Sequence, residues 1–390
     1  MGIQMSLRSF RKQRMVVGRN EFYSQLVRYW LALVLLLSIA VARLWGQAPN
    51  EILLSVENAY NPIPSPNGKM IAYVRTGWGR PGGSGGFGRS NLISEVVVIA
   101  DDGKPITTAP LTDTFLAGWT PDGRALICYR DWKYALITLH GMRSLQGQLR
   151  RPENVLATER VFYLSGFGAI AWSRVGEASK TVIETRHHII AEHAGWLGDV
   201  VVPSPDGRYL AIFGEWRKQL WVYDIQLSRW FDLGPLIVHP DSEWDYMKAT
   251  WNPWFADSSH LAYFSGSNLV ISEPDGIAKR TIPIDGHAGL ATPSPDGKSV
   301  AYLTFDPRPM NGRPDLQFWG GTIVWVFPLA TGGKPSAITK KNLATTYDLR
   351  WLGNGALIFD RLEDEVFPTH ARVWKVLASR ASSLEVGLTR

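Results

Sequence analysis

The chain repeats one phrase three times: "NPIPSPNGKMIAYVRT" from Asn61, "VVPSPDGRYLAIFGE" from Val201 and "ATPSPDGKSVAYLTF" from Ala291. Self-similarity over tens of residues marks a supersecondary unit that cannot bury its apolar face alone and must stack on copies of itself. Weaker copies fall between the strong ones, as "WTPDGRALICY" from Trp119, "WFADSSHLAYF" from Trp254 and "WLGNGALIF" from Trp351. The interval from Thr120 to Ser204 is too long for one unit. A degenerate copy fills it, with "RVFYLSGFG" as strand and turn and "GAIAWSR" as the strand that follows. Seven copies result, averaging about 48 residues, the range of a four-stranded propeller blade.

The turn chemistry explains why these letters recur. Ser or Thr at the first position can bond the backbone, Pro presets φ at the second, Asp or Asn tolerates the third, and Gly takes the positive φ that follows. The residues after the turn ("IAY", "LAIF", "LAYF", "VAY") read as a strand buried on both faces. Further strands follow in each unit, in "EVVVIADDGK", "QLWVYDI", "NLVISEPDG", "TIVWVFPLATGG" and "RVWKVLAS". A closing strand ends at Leu111, Ile338 and, in "SLEVGLTR", Leu388. The expected fold is all-β: a seven-bladed β-propeller of four-stranded antiparallel blades over 49–390, preceded by an N-terminal signal or anchor helix over 1–48. Ring closure stays open between "EILLSVE" from Glu51 acting as a latch and the C-terminal strand closing the circle alone.

The pattern Ser-Pro-Asp-Gly-Lys/Arg followed by an apolar residue, Ala and Tyr resembles the repeats of the TolB-like β-propeller family. Related repeats build the propeller of prolyl oligopeptidases, with the dipeptidyl peptidase IV N-terminal domain, and that of oligogalacturonate lyase. The resemblance covers about residues 50–390 and implies a propeller far more specifically than it implies an activity. By this reading the repeats use the whole body of the chain, leaving no α/β-hydrolase domain of ordinary size.

Charge argues against nucleic acid. The net charge of +6 resides in residues 1–48, where Arg8, Arg11, Lys12, Arg14, Arg19, Arg28 and Arg43 face only Glu21. The rest is balanced, whereas a phosphate-tracking surface needs clustered Lys and Arg on the folded body. The basic segment leads into the uncharged run "YWLALVLLLSIAVA" from Tyr29, the plan of a secretory signal. It is short for a membrane span of about 20 residues. The expected location is periplasmic or secreted, with residues 29–45 as an inner-membrane anchor if the leader is retained. Cys128 is the only cysteine, so no intrachain disulfide exists, and in "ALICYRD" it reads as a buried apolar side chain.

Antiparallel blades send the Ser-Pro-Asp-Gly and "ADDGK"-type turns to one side and the long connections to the other. Loops on a rigid scaffold concentrate binding residues. The expected partner surface is therefore the loop side, with Trp78, Trp216, Trp244 and Trp319 as aromatic anchors. Arg80, Arg217, Arg313, Glu243 and Glu363 would supply charged recognition around them. His239, Asp241, Glu243 and Asp245 crowd "VHPDSEWDY", but the spacing is not that of an EF-hand, and no His pattern selects metal ligands. No metal, cofactor or catalytic residue is assigned. "GGSGGFGRS" from Gly82 satisfies several glycine motifs, yet each requires a following helix, and here "LISEVVVIA" reads as a strand.

Three functions fit. The first is a non-enzymatic scaffold in the bacterial envelope that binds a protein, glycan or peptide. The second is a saccharide lyase or hydrolase drawing on His239, His287 and His370 in the channel. The third is a membrane-anchored sensor.

Overall fold

The computed structural model describes residues 51–55, 58–77, 93–111, 115–130, 133–138, 147–148, 158–164, 168–175, 179–185, 187–198, 200–213, 218–237, 251–310, 313–340, 346–362 and 371–378. The chain divides into two compact units, Met1–Pro49 and Asn50–Arg390. The leader thus lies outside the described residues, and so do the Gly82 loop and "SLEVGLTR". All that follows concerns the second unit. Among the described residues there is no α-helix, and none of its elements is a helix long and apolar enough to cross a membrane.

The strands pair antiparallel into seven sheets that follow one another along the chain. β1 (Glu51–Leu53) stands apart and is placed below. The first sheet runs β2 (Ala59–Pro64), β3 (Met70–Gly77), β4 (Ile93–Ala100) and β5 (Pro105–Leu111), and the second β6 (Phe115–Trp119), β7 (Ala125–Arg130), β8 (Lys133–Thr138) and β9 (Gly147–Gln148). The degenerate copy forms a full third sheet, β10 (Thr158–Leu164), β11 (Ala169–Val175), β12 (Thr181–Thr185) and β13 (Ile189–His193). β14 (Val200–Pro203), β15 (Tyr209–Phe213), β16 (Gln219–Asp224) and β17 (Arg229–Pro235) make the fourth. The fifth has three strands, β18 (Leu261–Ser265), β19 (Asn268–Ser272) and β20 (Lys279–Pro283). The place of its first strand is held by the Trp254–Leu261 bridge and by Ala262 N–H donating to Pro253 O at 2.9 Å. β21 (His287–Pro293), β22 (Ser299–Met310), β23 (Arg313–Pro328) and β24 (Ser336–Ala337) form the sixth. The seventh is β25 (Thr346–Trp351), β26 (Ala356–Leu362) and β27 (Ala371–Leu377), with β1 beside β27.

Glu51 pairs with Val376 and Leu53 with Trp374, so the first strand of the unit completes the last sheet. The latch is the arrangement found. The edge of β27 expected to receive "SLEVGLTR" is taken by β1. Arg361 reaches along Phe359 and Trp374, its guanidinium 5.0 and 5.2 Å from the two ring centres, to pair with Glu51 at 2.9 Å. Leu54 N–H donates to Val373 O at 2.9 Å, and Val373 N–H donates to Ser55 Oγ at 2.9 Å.

The turns behave as their residues require. Ser294 Oγ donates to Asp296 Oδ1 at 2.6 Å, Lys298 N–H donates to the same oxygen at 3.1 Å, and Ser299 N–H donates to Ser294 Oγ at 3.0 Å. That network holds the Asp296 carboxyl below the ordinary range, the Ser294 bond foremost and the Lys298 N–H next. The other connection type lies on the same side. Asp101 N–H donates to Lys69 O, Ile225 N–H to Arg208 O and Leu329 N–H to Lys298 O, at 2.8–3.0 Å.

Neighbouring turns pack in a fixed sense. A Cβ on Gly123 would meet Pro66 of the preceding sheet at 3.6 Å, and one on Gly297 would meet Phe255 at 3.8 Å. At the seam the same position, Gly68, faces Gly353 of the seventh sheet, where a Cβ would lie 2.3 Å from a backbone nitrogen. Glycine therefore replaces the usual proline at 353. In "WFADSSH", Ser258 takes the glycine position at φ 62°, and its Oγ accepts Asp206 N–H of the fourth sheet at 3.0 Å. That bond offsets the left-handed strain of a residue with a Cβ.

The core lies between sheets. Ala211, Leu261, Tyr263, Ala301, Leu303, Leu357 and Phe359 are at most 1% exposed, each from the strand that follows a turn. The sequence marks that strand as buried on both faces, and it is.

Candidate functional site

The connections β3–β4, β15–β16, β17–β18 and β26–β27 leave on the side opposite the tight turns. Trp78, Arg80, Trp216, Arg217, His239, Asp241, Glu243, Trp244, Asp245 and Glu363 all fall on them and lie outside the described residues. "DPRPMNGRPDLQFWGG" is not the irregular loop the sequence suggests. It is the end of the β22–β23 hairpin, paired from Asp306–Gly320 through Pro309–Gln317 to Met310–Arg313. β21 stops pairing at His287–Phe305. Beyond it Pro307 and Pro309 lie on a strand with one partner, where a missing N–H costs no ladder bond. Arg313 and Trp319 are strand residues of this hairpin, and only their backbone positions are described.

The histidines with described positions are dispersed. His187 and His188 sit in the β12–β13 turn, with ring centres 6.4 Å apart in edge contact. His193 ends β13, packed on Trp221 and Trp230 at 5.1 and 5.2 Å. His260 lies in a tight turn and His287 opens β21. Among the described residues no group of three His, Cys, Asp or Glu could hold a metal ion. His239 and His370 lie outside them.

Two features were not legible in the sequence. The first is a buried polar group at the seam. Asp360 accepts Asp348 N–H at 2.7 Å and Asn61 N–H at 3.3 Å, with Asn61 held at φ 55° and its Nδ2 donating to Leu116 O at 3.4 Å. Asp348 and Asp360 are each 3% exposed. Burial first, and the nearby Asp348 second, push the Asp360 carboxyl up to about 8. Burial pushes Arg350 below its usual value while both carboxylates pull it back. Two close acids of this kind have the electrostatics of an acid–base pair, here enclosed by the protein at 3% exposure each. Through Asn61 N–H, Asp360 ties the first sheet to the seventh.

The second feature is open. A cleft of about 470 Å³ lies between the fourth and fifth sheets, with Asp232 to Pro235 of β17 on one wall. Tyr263, Ser265, Asn268, Val270, Lys279 and Thr281, from the three strands of the fifth sheet, form the other. A bulge in β16–β17 leaves Leu233 out of register. Its carbonyl turns to the next sheet, where it accepts Tyr263 Oη–H at 3.1 Å and Lys279 Nζ–H at 3.3 Å. Burial pushes the Tyr263 phenol up to about 12, so it stays a neutral donor.

No family model matches the chain, and no curated protein matches it in sequence. Solved structures do match in shape. Oligogalacturonate lyase from Vibrio parahaemolyticus is 11% identical, over 83% of this chain and 92% of that one, with a TM-score of 0.53. Acylaminoacyl peptidase from Pyrococcus horikoshii is 10% identical, over 85% of this chain and 54% of that one, with a TM-score of 0.52. A TolB-type structure from Agrobacterium tumefaciens is 16% identical, over 70% and 93%, with a TM-score of 0.38. The matched folds are β-propellers of WD40, TolB-like and prolyl-peptidase type, and the chain is a β-propeller protein. At such identities the likeness reaches the fold and stops there; enzymes and scaffolds both occur among these neighbours.

Proposed function

We propose that the second unit is a single closed ring of seven blades acting as a non-enzymatic binding scaffold in the bacterial cell envelope. Its loop side takes a protein or an envelope glycan or peptide, and residues 1–48 direct export, with 29–45 as an inner-membrane anchor where the leader is kept. One observation carries this reading: the two sides of the ring differ in kind. One is tiled by short hydrogen-bonded turns. The other receives the long connections and the β22–β23 hairpin, where Trp and Arg of the interface type collect in the sequence.

The test is capture of partners from envelope extract on immobilised full-length protein. Trp78→Ala and Trp244→Ala should each reduce the captured amount severalfold without lowering the unfolding midpoint. Equal capture by wild type and both variants would move the partner surface elsewhere. Turnover of a polysaccharide, abolished by His287→Ala, would replace the scaffold reading with the enzymatic one.

A further inference from the structure

We infer that the cleft between the fourth and fifth sheets binds a small zwitterion of the amino-acid or dipeptide type, at a site separate from the loop side. Its volume of about 470 Å³ lies within the range of small-molecule sites. Its lining is mixed: Leu233, Pro235 and Val270 are the aliphatic members, and Asp232, Ser265, Asn268, Lys279 and Thr281 supply the polar groups. Tyr263 is 1% exposed, so no ring face is offered for stacking a base or a sugar.

The two charges decide the ligand class. Asp232 stands on one wall and Lys279 on the other, and they form no ion pair with each other. Both are exposed and both are already held in place. Asp232 Oδ2 accepts Gln219 Nε2–H at 2.6 Å, and its Oδ1 accepts Gly234 N–H at 2.9 Å. One Lys279 N–H is spent on Leu233 O, which leaves two for a ligand. A carboxylate and an ammonium fixed before binding lose little freedom when a guest arrives. Charge-assisted bonds from a ligand ammonium to Asp232 and from a ligand carboxylate to Lys279 would be its strongest contacts. The hydroxyls of Ser265 and Thr281 and the Asn268 amide supply donors and acceptors between them. Gly234 lies on the same wall as Asp232. It sits at φ 95°, where a side chain would be strained, and the space its Cβ would occupy has no atom within 4 Å. The bulge that turns Leu233 out of register also aims these groups, a common use of bulges beside sites.

Calorimetric titration of the full chain with alanyl-alanine, its N-acetyl form, its C-terminal amide and a neutral disaccharide tests this. Free alanyl-alanine should bind. Blocking either end should weaken it about tenfold, the effect of one charge-assisted bond. Asp232→Asn should erase the penalty for acetylation alone, and Lys279→Met the penalty for amidation alone. A merely structural role for either residue would not produce that matched pattern, and unchanged unfolding midpoints confirm that both variants fold. The inference is overturned if alanyl-alanine fails to bind at millimolar concentration, if the blocked forms bind equally, or if the disaccharide binds in preference.

Discussion

Trp119, Trp254 and Trp351 perform one task in three places. Each occupies the position before a turn, and each Nε1–H donates to a carbonyl of the preceding sheet: Ile63 at 3.0 Å, Val202 at 2.9 Å and Thr292 at 2.8 Å. The acceptor always precedes the proline of a Pro-Ser-Pro turn. Tryptophan copies and proline copies are thus complementary halves of one joint, which explains why the repeat comes in two spellings. The spellings were visible in the sequence and their meaning was not, because it depends on which carbonyl lies opposite. Trp351→Phe keeps the ring and removes the donor, leaving Thr292 O short of a partner; urea unfolding should register a loss of about 1 kcal/mol.

Asp360 gives the second residue-scale prediction. Its folded value of about 8 exceeds the unfolded carboxylate value of about 4. The native state therefore holds a proton that the unfolded chain has released. This contribution to stability is fully present below pH 4 and is lost as pH rises toward 8, then stays level. Denaturation midpoints of the wild type should fall across that window, and Asp360→Asn should remove the slope it causes. An unchanged slope in the variant would place the titration elsewhere.

Among the elements, the latch is the most consequential. Glu51 and Arg361 keep only 11% and 9% of their side chains exposed, so breaking the pair strands a charge in a poor solvent. Arg361→Ala also empties the space between Phe359 and Trp374. A loss of about 3 kcal/mol is expected, read as a lowered thermal midpoint, and Arg361→Lys should restore only part of it. The sequence offered "EILLSVE" as a latch on the last blade beside closure by the C-terminal strand alone, and could not choose, since pairing across the length of a chain leaves no local mark.

The β22–β23 hairpin failed for a different reason. Pro307, Pro309 and Gly312 carry the local signals of a loop, and only the absence of a second partner strand makes two prolines acceptable there. In the third sheet the turn residues have drifted, while "AIAW" kept the alternation that pairs with β10.

At the scale of the molecule, the repeat disclosed sheet order, turn side and buried strand, because those follow from local chemistry used many times. The cleft was not legible. Its lining comes from four strands of two sheets, and no single segment of Asp, Lys, Ser, Asn and Thr looks unusual. The expected loop-side residues remain sequence-level proposals.

Cys128 serves as a reporter of the whole fold. It is fully buried, and that burial pushes its thiol up to about 12. At neutral pH a thiol reagent should label it only as fast as the protein opens globally, and labelling in urea should track the unfolding curve. Fast labelling in buffer would mean that the second sheet opens alone.

The latch also sets an order of events. Ser55 bonds Val373 across 318 positions of sequence, so the earliest strand of the unit must wait, unmated, until nearly all the others have been made. Until then the first and last sheets have no strand in common. Completion and locking are the same step.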